Sequence, residues 1–242
     1  MRTIRIYQPG SYKIHDVIDL SQEAGLHVGV VLRRQIDDKL ILFSGDNREW
    51  DAEIVHVYKK NVTVRICSER VMNRESSQTI CLAQAISKGE RMEWLIQKTV
   101  ELGVAEINPL VTHYGAYKLD ENRLIKKHQQ WQAIVIAACE QCGRNQIPLI
   151  SFPMTLTQFL QKNNHGTGYV LDPYTGKSWR DYKVPEGKIT LLIGPEGGLS
   201  PDELEWIFAA NFLPLHLGPR ILRTETAAIC ALSVVQAMWG DL

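Results

Sequence analysis

A chain of 242 residues, 45% hydrophobic and 22% charged, can build one large or two ordinary domains around a sizeable core and is too apolar to be disordered. Its 27 Lys and Arg balance 27 Asp and Glu, so it lacks the basic surplus of most nucleic-acid binders; any such binding must use local patches. No stretch nears the roughly 18 apolar residues of a membrane helix, and Met1–Gly10 lacks the apolar run of a secretory leader, so a cytoplasmic protein without a membrane partner is expected. The five cysteines should then be reduced, and Cys139-Glu140-Gln141-Cys142 is a lone CxxC with no second ligand pair, so no metal is expected.

Up to about residue 72 the signals are short and strand-like: Ile4–Tyr7, Lys39–Phe43, Trp50–Tyr58 and Val62–Cys67, separated by turn residues such as Ser44-Gly45-Asp46-Asn47 and Lys59-Lys60-Asn61. One helix should interrupt them, capped at Ser21 and running to Arg33 or Arg34. This pattern predicts a small β-barrel over 1–72 and a junction in the polar run Val71–Gln78. From 73 to 242 strands and helices alternate, the mark of an α/β domain with a mostly parallel sheet. Strands are expected at Thr79–Ala85, Val104–Val111, Pro148–Phe152, Gly168–Leu171, Ile189–Ile193 and Leu213–Leu217. Helices are expected at Lys88–Leu102, with Met92, Leu95, Ile96, Thr99 and Leu102 on one face, at Glu121–Cys142 before Gly143, and at Glu225–Trp239. The last is apolar nearly all round, which suits a buried helix or a subunit interface.

In open α/β sheets ligands bind beyond the carboxyl ends of strands. Three strands here end in Gly- or Pro-rich segments: Leu171-Asp172-Pro173, Gly194-Pro195-Glu196-Gly197-Gly198 and Leu217-Gly218-Pro219-Arg220. After the second, Ser200 and Glu203 form a capping box with Pro201 at the first helical position. The glycines allow a tight strand-to-helix turn or a close backbone approach to a ligand. A phosphate is disfavoured by the charge of Glu196 and by the lack of a following Lys-Ser/Thr. In the third segment Arg223 lies in an apolar turn, either solvent-facing beside a Thr224 cap or paired with Glu225.

LLIGPEGGLS (Leu191–Ser200) and LGPRILRTETA (Leu217–Ala227) resemble the two signature loops of the 16S ribosomal RNA uracil-N3 methyltransferases, a family of the SPOUT superfamily of trefoil-knotted methyltransferases. ISKGERMEWLIQKTVELGV (Ile86–Val104) and EQCGRNQIP (Glu140–Pro148) resemble its middle segment. LHVGVVLRR and LILFSGDNREWDAEI are similar to its N-terminal, PUA-like RNA-binding barrel, although Gly29 falls inside an expected helix. The resemblance implies a PUA-like barrel followed by a SPOUT domain with a C-terminal trefoil knot, S-adenosylmethionine as cofactor, a ribosomal RNA or small-subunit particle as partner, and a homodimer with its active site at the interface. Composition and pattern show none of these, and general topology rules argue against a knot.

On that footing the expected cofactor contacts are Leu171, Gly194, Glu196, Gly198, Leu217, Gly218, Ile221, Leu222 and Thr224. Uracil N3 carries a proton at neutral pH, so methylation needs a base or a site that stabilises the anion. Arg223 is the candidate for the anion, Glu196 the first candidate base, and Glu225 its alternative or the orienter of Arg223. The resemblance puts Glu140 and Arg144, one helical turn apart, at the mouth of the site. Arg33, Arg34, Lys59, Lys60 and Arg65, with Lys126 and Lys127, are candidate phosphate contacts. The competing readings are a non-catalytic RNA-binding or ribosome-assembly module, a SPOUT enzyme for another base, and a nucleotide-dependent α/β enzyme. The last is weakened by the lack of GxGxxG.

Overall fold

The computed structural model describes residues 3–115, 121–174 and 177–242, which form two compact units. The first holds residues 3–75 together with Cys139–Ile147. Its strands β1 (Ile4–Tyr7), β2 (Val17–Asp19), β3 (Lys39–Phe43), β4 (Arg48–Tyr58) and β5 (Asn61–Val71) make a sheet of order β1-β3-β4-β5-β2. Only β1 and β3 pair in parallel; the other pairs are antiparallel. Alternating residues of β4 and β5, among them Trp50, Ala52, Ile54, Val62, Val64 and Ile66, point inward and join Ile6, Leu40 and Leu42 in one apolar core.

The helix expected from Ser21 to Arg33 or Arg34 is shorter and irregular. Ser21 does cap α1 (Gln22–Leu26), its hydroxyl accepting from the Ala24 amide, but the chain then widens into a π-helical turn over His27–Val31. Gly25 and Gly29 give the reason. A Cβ at Gly25 would lie 2.1 Å from the Lys60 carbonyl oxygen, and one at Gly29 would lie 2.3 Å from that of Lys59. The helical segment therefore rests directly on the β4–β5 hairpin end, at a distance that no side chain would permit.

The first unit also closes around a buried ionic cluster. Glu49 is 1% exposed and accepts from Arg5 Nη1 at 2.6 Å, Arg70 Nε at 2.7 Å and Asn145 Nδ2 at 3.1 Å, with Arg74 Nη1 at 3.3 Å. Asn145 also donates to the Met72 carbonyl, Glu140 accepts from the Tyr7 amide, and Arg144 bonds Glu75. These bonds assign Cys139–Ile147 to the first unit and carry its boundary to Glu75, where sequence alone suggested two contiguous domains divided after residue 72.

The second unit is a fully parallel sheet of order β12-β10-β11-β6-β7-β8, with β9 also on β7. Its strands are β6 (Ile80–Ala85), β7 (Glu106–Val111), β8 (Leu149–Ile150), β9 (Met154–Thr155), β10 (Thr167–Leu171), β11 (Ile189–Ile193) and β12 (Leu213–Leu215). Every residue of β6 and β11 is buried, as expected for central strands covered on both faces. On one face Ala83, Leu110, Val170 and Leu192 pack against α4 (Leu156–Leu160) and α5 (Pro201–Ala209). On the other, α6 (Thr224–Trp239) packs on β6, β11 and α2 (Glu90–Glu101). The remaining helix, α3 (Glu121–Cys142), follows its sequence-expected limits and stops at Gly143, whose φ of 93° suits glycine. The strand expected over Pro148–Phe152 is only the short β8, and β9 follows it beyond the expected range, after Pro153, which lacks a ladder amide.

Candidate methyl-donor site

The three loops singled out in the sequence follow β10, β11 and β12, which are neighbours in the sheet, so parallel pairing brings their carboxyl ends to one edge. There they enclose a cavity of about 560 Å³, a volume usual for a nucleoside-sized ligand. Leu171, Gly194, Glu196, Gly198, Leu217, Gly218, Ile221, Leu222 and Thr224 all line it, and so does Arg223. Glu225 does not.

Each loop is fixed by local chemistry. Gly198 and Gly218 take φ of 76° and 100°, in the left-handed region, and a Cβ on either would meet nothing within 4 Å, so glycine serves the turn and not a contact. Beyond the second loop the expected capping box forms: Ser200 Oγ accepts from the Glu203 amide, and Glu203 Oε2 accepts from the Ser200 amide at 2.8 Å. Glu203 Oε1 accepts from the His113 amide at 2.8 Å, tying that turn to the end of β7. The third loop returns past β10 and β11 to β6. There Thr224 donates to the Gly194 carbonyl at 2.7 Å and accepts from Gln84 Nε2 at 2.9 Å. The helix cap is thus Arg223 and not Thr224, whose hydroxyl is committed to the neighbouring loop.

The amides of Leu217, Ile221 and Leu222 make no hydrogen bond among the described residues. Backbone donors seldom stay unpaired, and here they line a cavity with Leu171, Ile193, Leu199 and Leu215, which offers an apolar seat. A flat heteroaromatic ring held by main-chain groups fits such a lining; the residues present suit S-adenosylmethionine.

The charged groups are arranged differently from the sequence expectation. Glu225, considered as the partner of Arg223, faces Arg91 instead: Oε1 lies 4.0 Å from Arg91 Nε, and Oε2 is buried without a hydrogen bond. Arg91 Nη1 also donates to Glu196 Oε1 at 2.9 Å. The Arg223 side chain makes no hydrogen bond or ion pair among the described residues and the residue is exposed, so its guanidinium is available at the cavity. Burial would raise the Glu196 pKa, but its own backbone amide, Arg91 and the Lys88 amide outweigh burial and hold it below the ordinary carboxylate range. A carboxylate so stabilised is a weak proton acceptor, which counts against Glu196 as base. Arg91 escaped the sequence reading because a single cation on the polar face of an amphipathic helix carries no local signal, and its partners lie more than 100 residues away.

Glu140 and Arg144 are a correction. Arg144 is 5% exposed and held by Glu75, and Glu140 accepts from the Tyr7 amide. Arg144 lies past the helix end at Cys142, so the i,i+4 geometry assumed for the pair does not exist. Burial raises the Glu140 pKa more than Tyr7, His27 and Arg5 lower it. Burial likewise pushes the Cys139 thiol up to about 12, which keeps it protonated and unreactive. Of the basic candidates, Arg33, Lys59, Lys60, Arg65 and Lys126 are exposed. Arg34 stands 3.8 Å from Asp38, and Lys127 pairs with Glu93 at 3.1 Å.

Comparison with known proteins agrees with this geometry. An RNA methyltransferase domain family matches residues 74–236, and an RNA methyltransferase PUA domain matches residues 20–67. The chain is 39% identical over its whole length to the ribosomal RNA small subunit methyltransferase E of Buchnera aphidicola subsp. Schizaphis graminum, covering 98% of that protein. It is 32% identical to that of Bacillus subtilis, with 86% of this chain and 85% of the relative covered. Among solved structures, a Legionella pneumophila protein in complex with bound S-adenosylmethionine superposes with a TM-score of 0.97 at 55% identity, with both chains fully covered. A Neisseria gonorrhoeae ribosomal RNA small subunit methyltransferase E bound to S-adenosyl methionine superposes with a TM-score of 0.92 at 33% identity, again over both whole chains. With strand-end loops, PUA-like unit and full-length similarity in accord, this chain belongs to the ribosomal RNA small subunit methyltransferase E family.

Proposed function

We propose that this protein transfers a methyl group from S-adenosylmethionine to N3 of a uridine in 16S ribosomal RNA, acting in the cytoplasm as a homodimer. The observation that carries the reading is the cavity of about 560 Å³ at the ends of β10, β11 and β12, lined by main-chain groups and bordered by the guanidinium groups of Arg220 and Arg223, which are unpaired among the described residues. When bound, the cofactor supplies a methyl group on a cationic sulfur, which departs as a neutral thioether. The loops after β10, β11 and β12 hold it through Leu171, Gly194, Gly198, Leu217, Gly218, Ile221, Leu222 and Thr224. Arg223 faces a uracil carbonyl oxygen and stabilises the charge that appears there as N3 gives up its proton. The N3 proton leaves to solvent water at the cavity, since Glu225 lies off its lining with Oε2 buried; Glu196, which lines it, is held by Arg91.

A base within folded RNA must be turned out of its stack before N3 is accessible. Arg33, Lys59, Lys60 and Arg65 grip phosphates of the same RNA; the rest of Gly25 and Gly29 on the Lys59–Lys60 turn, which puts the helical segment beside two of these cations, supports this. The homodimer is supported by α6, which buries Ala228, Ala231, Leu232 and Val235 in its own unit yet leaves Met238 44% exposed, with Cys230 and Ala237 also exposed. The return of the chain from β12 past β10 and β11 to Gln84 of β6 is the path that a knot requires and supports one. No described helix is long and apolar enough to cross a membrane, which accords with the cytoplasm.

The test is tritium transfer from labelled cofactor to small-subunit particles of a strain lacking this protein, followed by nucleoside analysis for N3-methyluridine. Label on another base would favour a different target. Binding of RNA without cofactor uptake in an equilibrium titration would leave a non-catalytic assembly module.

A further inference from the structure

Arg91 reaches the site from α2, which belongs to none of the three cavity-lining loops. Its guanidinium joins two carboxylates from distant segments: Nη1 donates to Glu196 Oε1 at 2.9 Å, and Nε lies 4.0 Å from Glu225 Oε1. Glu196 belongs to the loop after β11 and Glu225 to the first turn of α6. Two anions brought to one place repel unless a cation lies between them. The charged side chains of the elements meeting here are Lys88, Glu90 and Arg91 at the start of α2, Glu196, and Arg223 and Glu225 at the start of α6. Of these, only Arg91 pairs with either Glu196 or Glu225 among the described residues.

Glu225 is the informative partner. Its side chain is 10% exposed, and Oε2 has no hydrogen bond. The helix N-terminus offsets part of the cost of burying such a charge. Arg91 Nε approaches the other oxygen, at 4.0 Å.

We propose that Arg91 is a positioning residue for methyl transfer: by pairing with Glu196 and Glu225 at once, it fixes the cavity-lining loop after β11 to the first turn of α6 and holds the Glu196 carboxylate in place at the cavity. This rests on the methyl transfer assigned above. In the step it serves, the N3–H bond breaks with its electron pair left on nitrogen, and the proton passes to solvent water. That pair forms the new bond to the methyl carbon while the carbon–sulfur bond breaks and its electrons leave on sulfur.

The experiment is single-turnover methyl transfer to small-subunit particles by the wild type, Arg91→Ala and Arg91→Lys, followed from about pH 5 to 9, with cofactor affinity measured alongside. Arg91→Ala is expected to slow transfer by roughly tenfold or more at saturating cofactor and RNA, while the cofactor Kd moves by less than about threefold. It should also carry the acid limb of the rate profile to higher pH, because Glu196 then loses the cation that helps hold its pKa down. Arg91→Lys should return the limb toward the wild-type position with only part of the rate, since one ammonium cannot fork between both acids. An unmoved limb in Arg91→Ala, or equal losses of rate and cofactor affinity, would overturn the proposal; equal losses mean that the residue only braces the loop. Should Arg91→Ala not fold, Arg91→Lys decides alone: wild-type rate and profile would overturn the proposal. A wild type that labels no RNA overturns the assigned function instead.

Discussion

Acid should unlock the first unit at Glu49. The carboxylate is 1% exposed. Burial by itself raises its pKa, but hydrogen bonds from Arg5, Arg70 and Asn145 and the charge of Arg5 outweigh burial and bring it from the ordinary 4.5 down to about 2. A folded-state pKa below the unfolded one means that the stabilisation is fully present above 4.5 and fades as pH falls toward 2. The difference corresponds to about 3 kcal/mol at neutral pH. Of this, about 2 kcal/mol should be gone by pH 3, where the unfolded carboxyl is protonated and the folded one is not. Glu49→Gln removes the titrating group and leaves Arg5 buried beside a neutral amide, which should cost roughly 3–5 kcal/mol at pH 7. Urea titrations of both proteins, followed by hydrogen-exchange protection of β4 peptides, report this unit by itself. The stability gap between wild type and Glu49→Gln should shrink by about 2 kcal/mol between pH 6 and pH 3. A gap that stays constant over that range would refute the assignment of the low pKa to this cluster.

Gly29→Ala should destabilise the first unit by more than the roughly 1 kcal/mol that it gains in helix propensity, because the new methyl meets the Lys59 carbonyl; β5 peptides should lose exchange protection, and unchanged protection would show that the contact relaxes freely. Thr224→Val keeps the volume but strands the Gly194 carbonyl and Gln84, a loss of about 1–3 kcal/mol that should appear as weaker cofactor binding by calorimetry. Replacing Arg33, Lys59 and Lys60 by Gln should flatten the salt dependence of RNA binding by about 0.7 per lost phosphate contact on a log–log plot. Arg34→Gln should do less, since Arg34 is engaged with Asp38. An equal slope in both variants would place the RNA elsewhere.

Local codes made much of this molecule legible. The Ser200-Pro201-Asp202-Glu203 run declares a capped helix, and α5 begins there. Continuous apolar runs at Ile189–Ile193 and Thr79–Ala85 announce buried parallel strands, and β11 and β6 are those strands, with β6 starting one residue later. The cavity was legible for the same reason: loops after parallel strands must emerge on one side, so glycine-rich strand ends converge once those strands are neighbours. Even the short α4 had its sign, a Thr155–Gln158 capping box before Leu156, Phe159 and Leu160, which was not used.

What stayed illegible depends on which distant residues meet, and charge gives no address in sequence. Glu140 and Arg144 stand at a spacing that suggests a helical ion pair, yet Gly143 ends the helix between them and each turns to a residue in the first 75. Arg223 and Glu225 are near neighbours in the chain, yet the carboxylate turns to Arg91, 134 positions earlier, as the guanidinium stays at the cavity. Proximity in sequence favours a pairing only when the backbone between two residues is helical at the correct spacing. Arg223 precedes the first turn of α6, where its backbone is extended at φ −64° and ψ 151°, so its side chain leaves in another direction from that of Glu225. That change of backbone conformation separates the two charges, giving one to the cavity and the other to α2, and it leaves the Thr224 anchor between the two side chains.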